Sequence, residues 1–154
     1  MKIALSADHR GASGIRQIYD KLKREGQEPE LLGDCSGSPC DYPERAWVVG
    51  QAVASGKADL GIRICGTGIG MSIAANKVKG VRAAVVHDEL TAQLSRSHNN
   101  ANVLCLSADL LGQHLIEKIV SVWLATAFEG GRHARRIRKI TAMESGQDPA
   151  TVQE

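Results

Sequence analysis

Apolar and polar positions along the 154-residue chain follow two alternating rhythms. Short apolar runs occur at Lys2–Ala7 (KIALSA), residues 30–32, Leu60–Cys65 (LGIRIC), residues 82–86 (RAAVV) and Val103–Ser107. Runs of this length, bounded by turn residues, predict strands. Between them apolar residues recur at helical spacing over residues 15–24, 43–54, 71–77, 88–97 and 109–128. Gly26 and Gly56 stop the first two helices, and Pro43 suits a first helical turn. Residues 33–42 and the glycine-rich segment 66–70 read as turns. Beyond Gly130 and Gly131 a further helix, Arg132–Glu144, carries Ile137 and Ile140 on a narrow apolar stripe. Strands alternating with helices predict a parallel sheet covered on both faces, a doubly wound α/β sandwich. The pattern makes residues 1–145 one domain and leaves 146–154 as a frayed tail.

Composition sharpens this picture at two points. Tyr19, Tyr42, Trp47, Trp123 and Phe128 are the only aromatic residues, so the core is built from Ala, Val, Ile and Leu. Sixteen glycines suit tight strand-to-helix turns and close packing. The formal charge of +2 is too small for bulk attraction to nucleic acid or anionic membrane, so any basic site is local. No apolar run approaches the roughly 20 residues of a membrane span, and the start lacks the form of a signal peptide. The chain reads as cytosolic, where Cys35, Cys40, Cys65 and Cys105 are expected as free thiols. Cys35 and Cys40 could be metal ligands, but no second Cys/His pair at finger spacing accompanies them.

In an open parallel sheet the ligand crevice lies outside the carboxyl ends of the strands. The residues that follow the strands are Asp8-His9-Arg10-Gly11, Cys65-Gly66-Thr67-Gly68-Ile69-Gly70, His87-Asp88 and Ala108-Asp109. The glycine segment has two readings, a tight turn or a nest of backbone N–H groups for an anion at a helix N-terminus. It matches neither the dinucleotide fingerprint nor a P-loop. Cys65 is either an inert core thiol or, beside that helix N-terminus, a reactive one. Thr67 and the loop amides would then face a developing oxyanion. His98, in SRSHNNAN, is a helix cap or an acid/base group. The run Arg132 to Lys139 is a solvated face, a nucleic-acid patch, or a phosphate fork of Arg132 and Arg136 at i and i+4.

DHRG after the first strand, DYP at residues 41–43, ICGTGIGMSIAANK, AQLSRSHNNANVL and FEGGRH together resemble the type B ribose-5-phosphate isomerases. Relatives of that group include the galactose-6-phosphate and allose-6-phosphate isomerases. The resemblance spans about residues 2–144. It implies a Rossmann-like three-layer α/β/α fold with a five-stranded, mainly parallel sheet and an appended C-terminal helix. It also implies aldose–ketose isomerisation with neither metal nor nucleotide cofactor. Cys65 would be the base that removes the proton from C2 of the opened sugar. Thr67 and the amides of Gly66, Gly68, Ile69 and Gly70 would hold the enediolate. His98 would assist ring opening, and Asn99 would bind sugar hydroxyls. Asp8 and His9 would contact the substrate, Tyr42 would line the site, and Arg132 and Arg136 would grip the phosphate. The implied partners are a small phosphosugar and further copies of the chain, as a homodimer or homotetramer with sites at the subunit interface.

One branch of the family uses a glutamate on the first turn of the short helix. Met71 occupies that neighbourhood and Cys65 is present, which places the chain in the cysteine branch. Asp109 stands where many members carry an arginine, an acid in the place of a substrate-facing cation. The other readings are a hexose-6-phosphate isomerase on the same site and a non-catalytic sugar-phosphate-binding module.

Overall fold

The computed structural model describes residues 1–33 and 36–152. Five strands, β1 (Lys2–Ala7), β2 (Glu28–Leu31), β3 (Leu60–Cys65), β4 (Ala83–Val85) and β5 (Val103–Ser107), form one sheet in the order β2-β1-β3-β5-β4. Every neighbouring pair is parallel, so the sheet is wholly rather than mainly so. Helices α1 (Ala12–Arg24), α2 (Tyr42–Ala54), α3 (Ile69–Ala75) and α4 (Glu89–Ser97) are the crossovers. After β5 come α5 (Gln113–Ala125) and α6 (Arg132–Glu144), then a short 3-10 turn at Pro149–Thr151.

The two-residue period of the strands assigns the layers. Ile3, Leu5 and Ala7 of β1, Leu60, Ile62 and Ile64 of β3, and Leu104 and Leu106 of β5 share one face. Ile15, Ile18 and Leu22 of α1, Ala92 of α4, and Ile116, Ile119, Val120 and Trp123 of α5 cover it. On the other face Val49 of α2 and Met71 and Ala75 of α3 lie over Ala4, Cys65, Val103 and Cys105. Each fully buried Leu or Ile contributes about 1.5–3 kcal/mol. No helix among the described residues is long and apolar enough to cross a membrane.

Several boundaries differ from the pattern by one to four residues, and four of the shifts have a local reason. β2 spans Glu28–Leu31 rather than 30–32; it lies at the sheet edge, where Pro29 is tolerated. α1 opens at Ala12 rather than 15, because the Asp8 carboxylate collects the N–H groups of Arg10 and Gly11 just ahead of it. α3 opens two residues early, directly after Gly68, which adopts the left-handed conformation at φ 79°. α5 starts at Gln113 rather than 109, since Leu110 N–H is taken by Ser107 Oγ at 3.0 Å.

The close seat of α2 on the sheet depends on Gly61, where a Cβ would lie 2.5 Å from Val49 Cγ1. Gly61→Ala is expected to cost about 1–3 kcal/mol by overpacking. Adding Val49→Ala should recover part of that loss in chemical denaturation. A Gly61→Ala protein as stable as the parent would contradict this account of the packing.

Candidate active site

β1 and β3 are neighbours in the sheet, and the chain leaves them in opposite directions, from β1 to β2 on one side and from β3 past β5 to β4 on the other. Such a switch point opens a crevice at the carboxyl edge. Asp8 follows β1 there, with its N–H on Ile64 O at 3.2 Å and its carboxylate accepting from Arg10 and Gly11 N–H at 2.9 and 3.1 Å. His9 is exposed beside it.

Cys65 ends β3 with a relative exposure of 4%. Its Sγ accepts the Gly68 N–H at 3.1 Å. Neighbouring β5 fixes the loop from its other side. Ala108 N–H binds Cys65 O at 2.8 Å, Asp109 N–H binds Gly66 O at 3.0 Å, and Ser107 Oγ donates to Gly66 O at 2.6 Å. Ile69 N–H bonds to Thr67 Oγ1 at 3.3 Å, so the Thr67 hydroxyl hydrogen remains to be donated outward. The amides of Gly68 and Ile69 are therefore already engaged inside the loop. Tyr42, the first residue of α2, lies against Gly70; a Cβ there would be 2.6 Å from Tyr42 Cζ. Asp8, Tyr42, Cys65, Gly66, Thr67, Gly68, Ile69 and Gly70 thus share one edge of the sheet.

Asp109 does not present a bare acid to this edge. Arg10 donates to its carboxylate through Nε and Nη2 at 2.7–2.9 Å, directly above Gly66. That hydrogen-bonded pairing holds Arg10 even more firmly charged. Cys105 is core, as its sequence position suggests, and burial pushes its thiol up to about 12. Cys40 is half-buried, and Cys35 lies outside the described residues.

His98, Asn99, Arg132 and Arg136 do not join this group within one chain. His98 is the C-terminal cap of α4, a helix that runs back from the carboxyl edge. The segment after it reaches the start of the strands, where Asn102 O accepts from Gly61 N–H and Arg82 Nε donates to Asn99 O. β5 is five residues long, so at about 3.3 Å per residue the two edges stand about 15 Å apart.

At this second edge the His98 ring stacks on His133 with centroids 4.1 Å apart and planes inclined by 8°. Glu129 bridges them, its carboxylate 4.0 Å from His98 Nε2 and 3.7 Å from His133 Nε2. Arg132 Nε donates to His133 Nε2 at 3.5 Å, and Arg136 adds positive potential to the same imidazole. The three side chains are within reach of a common ion. However, imidazole lone pairs lie in the ring planes, and two parallel stacked planes do not converge on one ion. Glu129 and His133 were not singled out from the sequence, although FEGGRH places them at i and i+4 across two glycines with positive φ. A cleft of about 560 Å³ lies near this edge, lined by Asn76, Arg82, Asn99, Ile140, Met143 and Glu144. None of the groups around Cys65 lines it.

Residues 3–140 match the family described as Ribose/Galactose Isomerase. The chain belongs to that family. It is 46% identical to ribose-5-phosphate isomerase B of Escherichia coli over 143 residues, covering 93% of this chain and 96% of that one. It is 40% identical to the D-erythrulose-4-phosphate isomerase of Pectobacterium atrosepticum, covering 91% and 93%. Its fold superposes on ribose-5-phosphate isomerase B of Clostridium thermocellum with a TM-score of 0.93 at 46% identity, covering 95% and 99%. The Mycoplasma genitalium enzyme, solved with bound ribulose-5-phosphate, gives a TM-score of 0.90 at 45% identity, covering 94% and 96%.

Burial, then the stacked His98, then Arg132 lower the proton affinity of His133, against a smaller opposing pull from Glu129. The unfolded chain therefore takes up this proton first. The contribution to stability is complete above the ordinary histidine pKa of about 6.5 and is lost as pH falls below it. His133→Gln should flatten the decline of Tm between about pH 6.5 and pH 5. An unchanged slope would remove His133 as its source.

Proposed function

We propose that the protein interconverts ribose 5-phosphate and ribulose 5-phosphate through an enediolate, with Cys65 as the base. The observation that carries this reading is Cys65 Sγ held by the Gly68 amide at the end of β3, on the rim of the switch-point crevice. Removing a proton from carbon beside a carbonyl leaves charge on oxygen. A thiolate and hydrogen-bond donors set side by side answer both needs. His98 opens the furanose ring. Cys65 takes the C2 proton of the linear aldose and returns it to C1, while the hydroxyl proton of C2 passes to the C1 oxygen. Thr67 and the amides of Gly66 and Gly70 face the developing enediolate. Asp8, His9 and Tyr42 position the sugar, Asn99 binds its hydroxyls, and Arg132 and Arg136 bind the phosphate.

The roles given to Cys65 and His98 require two chains, because those residues occupy opposite edges of one. We infer a homo-oligomer, dimer or tetramer, in which one protomer's carboxyl edge meets its partner's His98 edge. Exposed apolar side chains support this. Trp47 of α2, Ile69 and Ile73 of α3 and Leu90 of α4 are more than half exposed, and Met143 of α6 is 61% exposed.

Purified protein should convert ribose 5-phosphate, and Cys65→Ala should lower kcat by about 10² to 10⁴. Undiminished turnover in that variant would dismiss Cys65 as the base. Binding without turnover in the parent would make the chain a sugar-phosphate-binding module. Mixing Cys65→Ala and His98→Ala proteins should restore activity that neither has alone, and a mixture as inactive as its parts would contradict the shared site. The similarity to a D-erythrulose-4-phosphate isomerase makes sugar length the variable to measure. Comparing kcat/KM across erythrulose 4-, ribose 5-, allose 6- and galactose 6-phosphates should favour the pentose.

A further inference from the structure

Arg63 lies in the middle of β3 with no exposed surface. Its Nη1 donates to Met71 O of α3 at 3.3 Å, while Nε and Nη2 have no partner among the described residues. A guanidinium does not give up its proton in a protein. A buried one without a counter-charge is strongly destabilising. Among the described residues no carboxylate acts on its charge. In register with Arg63 stand Ser6 of β1 and Cys105 of β5, and above it lies α3, which has no charged side chain.

Among the described residues the thiols of Cys105 and Cys65 are the groups that favour the Arg63 charge. Burial keeps Cys105 protonated. Cys65 is two residues on from Arg63, so the two side chains leave β3 on the same face, beneath α3. The other titratable groups near Cys65 are already occupied or stand outside. Asp8 serves the Arg10 and Gly11 amides, Asp109 serves Arg10, Tyr42 lies against Gly70, and His9 is exposed. We propose that Arg63 is the buried counter-ion of the Cys65 thiolate, a positioning residue that keeps the base in its working form from beneath the loop. This rests on the reading of Cys65 as the base and names what sustains it.

The pairing is read by following the pH dependence of Cys65 alkylation by iodoacetamide, with mass spectrometry of the Cys65 peptide. In Arg63→Leu the midpoint should rise by about one pH unit, equivalent to about tenfold less thiolate on the acid side. The acid limb of kcat/KM should move with it. Arg63→Lys should retain most of the parent behaviour. In the parent, the midpoint should lie lower in the native protein than in the same protein unfolded in urea, a comparison that holds even if Arg63→Leu does not fold. Equal native and unfolded midpoints would overturn the ion pair. So would a folded Arg63→Leu protein with an unchanged midpoint, whatever its Tm. Loss of the Cys65→Ala turnover effect with the midpoint shift intact would instead count against Cys65 as the base and leave the ion pair standing.

Discussion

Parallel pairing of every strand governs this molecule. In an antiparallel sheet, loops at both edges would mix strand ends with strand starts. Here each strand delivers its last residue to one edge, and each returning helix delivers its last residue to the other. Cys65, Asp8 and Asp109 are strand-end residues and meet. His98 and Asn99 are helix-end residues, and no rotamer change brings them across the thickness of the sheet. A single chain thus carries the residues of the proposed mechanism in two groups facing opposite ways, and that mechanism would require two such chains set edge to edge.

At the carboxyl edge, hydrogen bonds from the end of β5 converge on the loop after β3, and Asp8 N–H holds Ile64 O just before it. Ser107 and the amides of Ala108 and Asp109 fix the carbonyls of Cys65 and Gly66, so the sulfur and the Gly68 amide face each other without the loop having to reorganise. Arg10 is paired with Asp109 at the rim, and the proposed partner of the Cys65 sulfur is Arg63 below. Low aromatic content is compatible with this arrangement, because Gly61 and Gly11 let α2 and the β1 loop approach β3 to distances a Cβ would forbid.

Much of this was legible along the chain. β1, β3, β5 and α6 have the bounds their apolar runs indicate, since a buried strand must be apolar wherever it lies in the sheet. Cys65 and the glycine loop stood out because a strand followed by glycines and a helix is a local pattern. Arg63 did not, because a charged residue inside LGIRIC looks like an interruption until its neighbours are known. Glu129 and His133 were hidden for a related reason. Their partner, His98, is more than thirty positions away in sequence, and the stack depends on how α4 and α6 meet.

The sequence by itself determined the number and type of the main elements, the two faces of the central strands, the place of Cys65 at the mouth of a glycine loop, and the family. Those are matters of spacing over a few residues, which periodicity and turn chemistry record directly. Tertiary structure alone decided which strand ends share an edge, that Asp109 is held by Arg10, that Arg63 is buried with no carboxylate partner among the described residues, and that His98 lies at the opposite edge from Cys65. Each of these depends on strand order and on the direction in which a helix returns, and neither is written in any local window of the chain.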